Sequence, residues 1–294
     1  MRKHYSIITI ILVSLILLCS CSASPEQPEA QTTPPSGETL SPLPSDADTD
    51  NEENSLPTPS PTTMPSVDNS IREAIFMDFI TDIYEELSNA FFGAISGIGF
   101  IDLDMDGGIE MIIFDAGASA SMGVQFFDII DGRVECVSAS MQSVRETFGG
   151  EHMSDISVNA NYFEDFRLMK DKSTGEMFYL VSSGNGGIDF SYRELIRFNS
   201  KDDVLTLTSL MYKEENYDEA TGDTIDASYK IGKKSAALSE YTAAYEGVYS
   251  AAEDTGLEAK GAFIWDNQSY TNDRDGIVAM AKAAIQLSRA NFPE

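Results

Sequence analysis

The sequence predicts an α+β fold in which an antiparallel β-meander sheet is covered by an N-terminal helix and C-terminal helices. Apolar residues recur at helical spacing near the start of the folded part, in residues 71–87, and near its end, in residues 239–253 and 275–290. Between these helices lie β-branched and aromatic segments bounded by turn residues, at 95–101, 110–115, 124–130, 133–138, 162–170, 177–183, 188–198, 204–212 and 224–231. Most turns between them are short, and connections so short join neighbouring antiparallel strands.

The first predicted helix is amphipathic. Its apolar positions run from Ile71 to Leu87 at a spacing of three and four residues, and Arg72 and several acidic residues occupy the opposite face. Asp68 or Asn69 can cap its first turn. Because the polar face is acidic and not basic, we expect this helix to pack on the sheet and not on a membrane surface.

The clearest hairpin signal is Asp131-Gly132, a dipeptide typical of two-residue turns between antiparallel strands. Cys136 follows in the next strand, where its alternation with polar positions predicts a small buried side chain. It is the only cysteine after Cys21, so the folded part contains no intrachain disulfide. We therefore expect another source of stability, and a bound metal ion is one candidate.

Residues 1–20 have the features of an export signal. Arg2 and Lys3 precede an apolar run of 12 residues, 7–18, which is shorter than the ~20 residues that a membrane-spanning helix needs. The run ends in Leu18-Cys19-Ser20-Cys21, which resembles the lipobox of bacterial lipoprotein signal peptides. The resemblance implies cleavage after residue 20 and a diacylglycerol group on Cys21. An uncleaved signal anchor and an ordinary secreted protein are the alternatives.

A lipidated Cys21 implies attachment to the extracytoplasmic face of the cell membrane, on a Gram-positive cell surface. Two acyl chains give durable attachment, whereas one chain binds a membrane only marginally. Residues 21–69 contain ten of the eleven prolines and no Lys, Arg or aromatic residue, a composition that cannot form a core. We expect them to be a disordered tether between the membrane and residues 70–294, which we interpret as one globular domain.

The chain is strongly acidic, with a net charge of −29 from 48 acidic and 19 basic residues. Such a surface repels nucleic acid and anionic lipid headgroups, and it favours cations or basic partners. No nucleic-acid partner is therefore expected.

One segment has the pattern of a metal-binding loop. Between two predicted strands, residues 102–110 follow the pattern D-x-D-x-D-G-x-x-E. Oxygen ligands on alternate residues of a tight loop converge on one point, and the glycine after the third aspartate permits the turn. The predicted ligands are four carboxylates and one backbone carbonyl, namely Asp102, Asp104, Asp106 and Glu110, and the carbonyl of Gly108. Hard oxygen ligands favour calcium over transition metals.

This loop is not an EF-hand, because its twelfth position is Ile113 where a bidentate glutamate is required. Residues 100–114 resemble the calcium loops of FG-GAP, VCBS and integrin-type repeats and the aspartate-rich loops of clostridial surface lipoproteins. The resemblance implies a strand on each side and one bound calcium ion. Met105 stands where glycine is common, and the single copy argues against a propeller. A solvated turn is the alternative, although three neighbouring aspartates would then repel one another.

These observations favour a membrane-anchored, non-catalytic lipoprotein whose calcium-stabilised domain binds an envelope or extracellular protein or glycan. The alternatives are a carboxylate-based hydrolase of cell-wall or glycan material and a solute-binding or sensor accessory protein.

The other polar or aromatic residues that could form a functional site have simpler structural interpretations. Residues 183–187 favour a hairpin loop over an anion site, Trp265 favours core packing over a glycan platform, and His152 favours a surface position over a catalytic base.

Overall fold

The computed structural model describes residues 68–91, 95–115, 123–159, 166–264 and 273–292, all within the compact unit Pro61–Glu294. The predicted signal peptide, Cys21 and the tether up to residue 67 lie outside these described residues.

Two antiparallel sheets form the centre of the molecule, and each contains a meander. The first sheet has the strand order β13-β1-β2-β3-β4, with β5 paired to β3: β1 (Ile95–Ile101), β2 (Glu110–Asp115), β3 (Gly123–Ile130), β4 (Arg133–Ala139), β5 (Val158–Asn159) and β13 (Phe263–Ile264). The second has the order β11-β10-β9-β8-β7-β6-β12: β6 (Arg167–Asp171), β7 (Met177–Gly186), β8 (Phe190–Lys201), β9 (Val204–Tyr217), β10 (Thr224–Ile231), β11 (Lys234–Ser235) and β12 (Ala252–Glu258). The α+β class with antiparallel strands is confirmed.

The division into two sheets differs from the single sheet that the sequence analysis expected. Every residue of β1 and β2 is buried, so both faces of the first sheet need an apolar cover. Helices cover one face, and the second sheet covers the other. Aromatic rings fill the space between the sheets, where Phe198 lies with ring centroids 5.1 Å from Phe126 and 5.3 Å from Phe166.

Helices occupy both outer faces of the stacked sheets. Their bounds are α1 (Asn69–Asp82), α2 (Tyr84–Ala90), α3 (Gln142–Phe148), α4 (Leu238–Ala251) and α5 (Arg274–Asn291), with a 3₁₀ turn at Ala259–Ala262. Buried residues of α1, α2, α3 and α5 pack on the first sheet, and Tyr241 of α4 packs on the second. Within the described part of the chain, no helix combines the length and the apolar character that a membrane crossing requires.

Several element boundaries differ from the predicted ones. The single helix predicted for residues 71–87 is interrupted at Ile83, whose backbone leaves the helical region with φ −111° and ψ 23°. The helix predicted for residues 239–253 ends at Ala251, because the next residues form β12 and pair with the edge of β6. Helix α3 and strands β5, β11, β12 and β13 were not predicted, since segments of two to seven residues show no clear periodicity.

Candidate metal centre

The aspartate-rich segment forms the connection between β1 and β2. Strand register pairs Ile101 with Glu110, so the eight residues between them form the loop. Two loop residues have positive φ, Met105 at 64° and Gly107 at 93°. Gly107 suits this conformation because it has no Cβ, whereas a left-handed Met105 costs roughly 1–2 kcal/mol. Met105, which stands where glycine is common in such loops, is therefore a strained residue.

The loop brings the three aspartates together. Asp102, Asp104 and Asp106 each offer one carboxylate oxygen, and these atoms lie within 4.8 Å of one another. Asp104 is only 9% exposed. Three acidic oxygens so close together form a pocket of negative charge inside the loop.

One oxygen of each carboxylate is used to hold the loop backbone. Asp102 Oδ2 accepts from the Gly107 N–H at 3.0 Å, and Asp106 Oδ1 accepts from the Gly108 N–H at 2.6 Å. Asp104 Oδ1 accepts a longer bond of 3.3 Å from the Asp106 N–H. The second oxygens of two of them, Asp102 Oδ1 and Asp104 Oδ2, are buried with no hydrogen-bond partner. Buried polar atoms are rarely left in this way, so a cation ligated by these two oxygens fits the site.

The pKa values of these carboxyl groups reflect the same crowding. Burial, and then the neighbouring Asp106 carboxylate, raise the pKa of Asp102 to about 6. Burial and the charges of Asp106 and Asp102 raise the pKa of Asp104 to about 7. Burial also raises the pKa of Asp106. A divalent cation at this point would offset the cost of keeping the three groups ionised.

Glu110 has a different position from the three aspartates. Its Oε2 accepts from the Leu103 N–H at 2.6 Å, and its Oε1 accepts from Arg72 Nη2 at 3.2 Å. Its side chain is almost fully buried, and burial is the main reason that its pKa is raised well above the usual value. The structure therefore places Glu110 as a brace that joins the base of the loop to α1, and not among the three converging carboxylates.

Helix α1 clamps the loop through Asn69 and Arg72, two residues that the sequence analysis placed on the helix but did not connect with the loop. Arg72 Nε donates to the Ile109 carbonyl at 2.8 Å, and Nη2 also donates to Asp128 Oδ1 at 2.6 Å. The Asn69 side chain donates to the Gly107 carbonyl and accepts from the Ile109 N–H, each at 3.0 Å. A signal for Arg72 was present, because it is the one basic residue of residues 69–90.

Gly108, the predicted carbonyl ligand, lies against this clamp. A Cβ added there would come within 2.9 Å of Arg72 Cζ, so any larger residue would displace the guanidinium from its present position. The loop also faces the hairpin between β8 and β9. The Ser200 side chain lowers the pKa of Asp104 against the larger effect of burial, and the charge of Asp203 contributes to the raised pKa of Asp106. Both sheets therefore contribute to the surroundings of the aspartates.

The other residues that the sequence analysis considered as possible functional groups occupy positions that a structural role explains. Cys136 is buried, and burial raises the pKa of its thiol to about 12, so it is unreactive at neutral pH. His152 lies at the surface with Nδ1 3.4 Å from Glu135 Oε2. Residues 183–187 lie in β7 and the turn to β8, as expected of a hairpin. Trp265 and Cys21 are outside the described residues.

Comparison of the chain with models of protein families, with curated proteins and with solved structures gave no match to any of them.

Proposed function

We propose that the protein is a lipid-anchored extracytoplasmic protein, whose α+β domain binds one calcium ion in the loop of residues 102–110 and acts as a non-catalytic binding module. The observation that carries the calcium site is the buried Asp104 Oδ2, which has no hydrogen-bond partner and lies beside two other carboxylates. An ion in contact with this oxygen and with Asp102 Oδ1 would satisfy both.

Calcium fits the ligand set better than the other common divalent ions. The converging groups are carboxylate oxygens only, and such hard ligands favour magnesium, calcium or manganese over zinc or copper. Calcium accepts six to eight oxygens in flexible geometry, so backbone carbonyls and water can complete its shell, whereas magnesium demands a nearly ideal octahedron. Extracellular calcium modules bind with dissociation constants of about 10⁻⁴–10⁻³ M.

Attachment to the membrane is supported by the residues before the folded domain. The lipobox-like Leu18-Cys19-Ser20-Cys21 follows a basic and apolar segment, and a proline-rich stretch comes next. Metabolic labelling with a fatty-acid probe tests this part of the proposal. Label on the wild-type protein that is lost in Cys21→Ala supports the anchor, and equal label on both proteins contradicts it.

A binding role is favoured over a carboxylate-based hydrolase by the distribution of perturbed carboxyl groups. The carboxyl groups with raised pKa include those of Asp102, Asp104, Asp106 and Glu110 in the metal loop and that of Glu194 in β8. Four of the five belong to the metal loop, where the crowding has a structural explanation. The three loop aspartates lie within 4.8 Å of one another, whereas the two carboxyl groups of a glycosidase stand on either side of a bound sugar, roughly 5–9.5 Å apart.

Calcium titration of the detergent-solubilised full-length protein tests the site. At 10 mM calcium and dissociation constants of about 10⁻⁴–10⁻³ M, binding adds roughly 1.4–2.7 kcal/mol to stability. For a domain of this size we expect a rise in Tm of about 3–10 °C. The substitution Asp104→Asn removes the charge with little change in shape and should abolish the rise.

Asp131→Asn is the matched control, because Asp131 lies in the β3–β4 turn, where asparagine tolerates the positive φ of 51°. This variant should keep the full calcium response. A wild-type protein whose Tm and calorimetric heat do not respond to calcium would exclude the site. So would an equal response in Asp104→Asn.

A further inference from the structure

The second sheet extends beyond the core that it shares with the first. Strands β8 and β9 have 12 and 14 residues, and the apolar core between the sheets includes Val181 and Ile196, which pair across β7 and β8. Beyond this pair the same face of the sheet becomes polar and largely half-buried or exposed. A long strand that continues past its apolar core presents its side chains to solvent or to a ligand.

Strand register places seven side chains on this part of the sheet, which we call the open face. It consists of two rows across β7, β8, β9 and β10: Glu194, Tyr212 and Lys230, and Asn185, Tyr192, Glu214 and Ser228. Ser183 pairs with Glu194 but is fully buried, and its hydroxyl accepts from the Asn159 N–H at 2.8 Å, so β5 borders the open face. Directly paired residues point to the same side of a sheet, so the seven side chains share one surface.

Two tyrosines form the centre of the open face. Tyr192 and Tyr212 are diagonal neighbours, with ring centroids 6.2 Å apart and an angle of 19° between the rings. Lys230 Nζ lies 4.8 Å from the centroid of the Tyr212 ring, and the Tyr212 hydroxyl donates to Glu214 Oε2 at 3.0 Å. These contacts fix the orientation of the rings, so the aromatic surface is pre-organised for a ligand.

The groups around the rings are hydrogen-bonding groups. Glu194 is half-buried beside Tyr212, and burial raises the pKa of its carboxyl group. Glu214 adds a second carboxylate, and Lys230 provides a cationic donor. Nearly parallel aromatic rings bordered by carboxylates suit a sugar, whose C–H face packs on an aromatic ring while its hydroxyls donate to acidic oxygens.

The charge of the open face selects among glycans. The open face carries two carboxylates and one ammonium group, and the whole chain has a net charge of −29. Such a surface repels anionic polysaccharides. We propose that the open face binds a neutral polysaccharide, with sugar rings packed on Tyr192 and Tyr212 and hydroxyl groups bonded to Glu214. This inference rests on the binding role proposed above, but it uses a surface distinct from the calcium loop.

Affinity electrophoresis of the detergent-solubilised full-length protein tests the inference. Native gels contain hydroxyethyl cellulose, galactomannan, arabinoxylan or, as the anionic comparison, polygalacturonate. We expect retardation by at least one of the neutral polymers and none by polygalacturonate. Tyr192→Ala and Tyr212→Ala should each weaken the retardation roughly tenfold, the order expected for one lost aromatic contact.

Tyr245→Ala is the matched control, because Tyr245 is a 36% exposed tyrosine of α4, on the opposite side of the second sheet. It should leave retardation unchanged, and thermal melts should show that every variant is folded. Glu214→Gln, which keeps the shape of the side chain, should also weaken retardation. The same melts, repeated with calcium, test the two proposals separately. The rise in Tm on addition of calcium should persist in all four variants, even where polysaccharide binding is weakened.

Three outcomes would overturn the inference. One is the absence of retardation by all three neutral polymers, and another is retardation that Tyr245→Ala reduces as much as Tyr192→Ala does. The third is a complex with polylysine that depends on Tyr192 and Tyr212 while no neutral polymer binds. That result would assign the open face to a basic peptide.

Discussion

Arg72 neutralises two buried carboxylates at the base of the aspartate loop. Its guanidinium contacts Glu110 and Asp128, and the three side chains are 13%, 1% and 3% exposed. Asp128 Oδ2 also accepts from the Leu205 N–H of the second sheet at 2.9 Å. Arg72 thus joins α1 to two buried acids, and one of them, Asp128, also bonds to the backbone of the second sheet.

Removal of Arg72 should therefore lower the stability of the folded protein. Arg72→Met keeps much of the side-chain volume but leaves two buried carboxylates without their cation, and we expect a loss of about 3–5 kcal/mol in urea denaturation. Arg289→Met is the control, since Arg289 is 60% exposed in its pair with Glu73 and should change stability by about 1 kcal/mol or less. Equal losses in the two variants would contradict the role given to Arg72.

Glu194 provides a pH-dependent test at the level of one residue. Burial raises its folded-state pKa above the value in the unfolded chain, so at neutral pH the folded protein carries a disfavoured charge that protonation relieves. Glu194→Gln should raise Tm at pH 7–8, and the gain should shrink as the pH falls toward the ordinary glutamate pKa of about 4.5.

The measurement is a series of thermal melts across this pH range. The exposed Glu151 provides the control substitution, Glu151→Gln, for which we expect no comparable trend. A gain that grows on acidification would show that Glu194 is stabilised as the anion.

At the scale of elements, the first strand depends on glycine. A Cβ on Gly97 would lie 2.5 Å from the backbone carbonyl oxygen of Ile264 in β13, and one on Gly99 would lie 2.1 Å from the Phe263 ring. Strand β13 therefore packs directly against the glycine surface of β1, the strand that leads into the metal loop. Glycine within a strand often marks such a close approach.

Gly97→Ala should consequently destabilise the protein by about 1–3 kcal/mol, because the atom in the way belongs to the backbone and cannot rotate aside. Gly247→Ala is a matched control in the exposed part of α4, where a Cβ meets no atom within 4 Å. There alanine should stabilise by about 0.5–1 kcal/mol through its higher helix propensity. Urea midpoints that move in the same direction for both variants would contradict this account.

At the scale of the whole molecule, the aspartate loop lies where three layers meet. Helix α1 holds it through Asn69 and Arg72, the first sheet supplies its two ends, and the β8–β9 hairpin faces it through Ser200 and Asp203. An ion in this loop would therefore stabilise contacts between the layers as well as the loop itself.

Removal of calcium should accordingly loosen two segments that are distant in the chain. Hydrogen exchange in EDTA, compared with 10 mM calcium, should show faster exchange in residues 102–110 and 200–205. Exchange in α4, which packs on the far side of the second sheet, should be unchanged. Faster exchange confined to residues 102–110 would show that the ion does not couple the two sheets.

Features that depend on residues close together in the chain could be predicted from the sequence. Strands β1, β2 and β10 have the predicted bounds, because the turns on either side are local signals. The aspartates converge as their alternate spacing predicts, because a tight loop brings alternate side chains to one side. The predicted export signal, lipidated Cys21 and tether are equally local patterns, and they stay predictions.

The way in which distant segments combine became visible only in the folded molecule. The second sheet, the Arg72 contacts with Glu110 and Asp128, and the open face join residues separated by tens of positions. Periodicity shows that a segment has an apolar face but not which segment will cover it, and Glu110 occupies a ligand position in the pattern yet pairs with an arginine from another element. Charge pairing and the burial of both faces of the first sheet set these positions, and both depend on the folded chain as a whole.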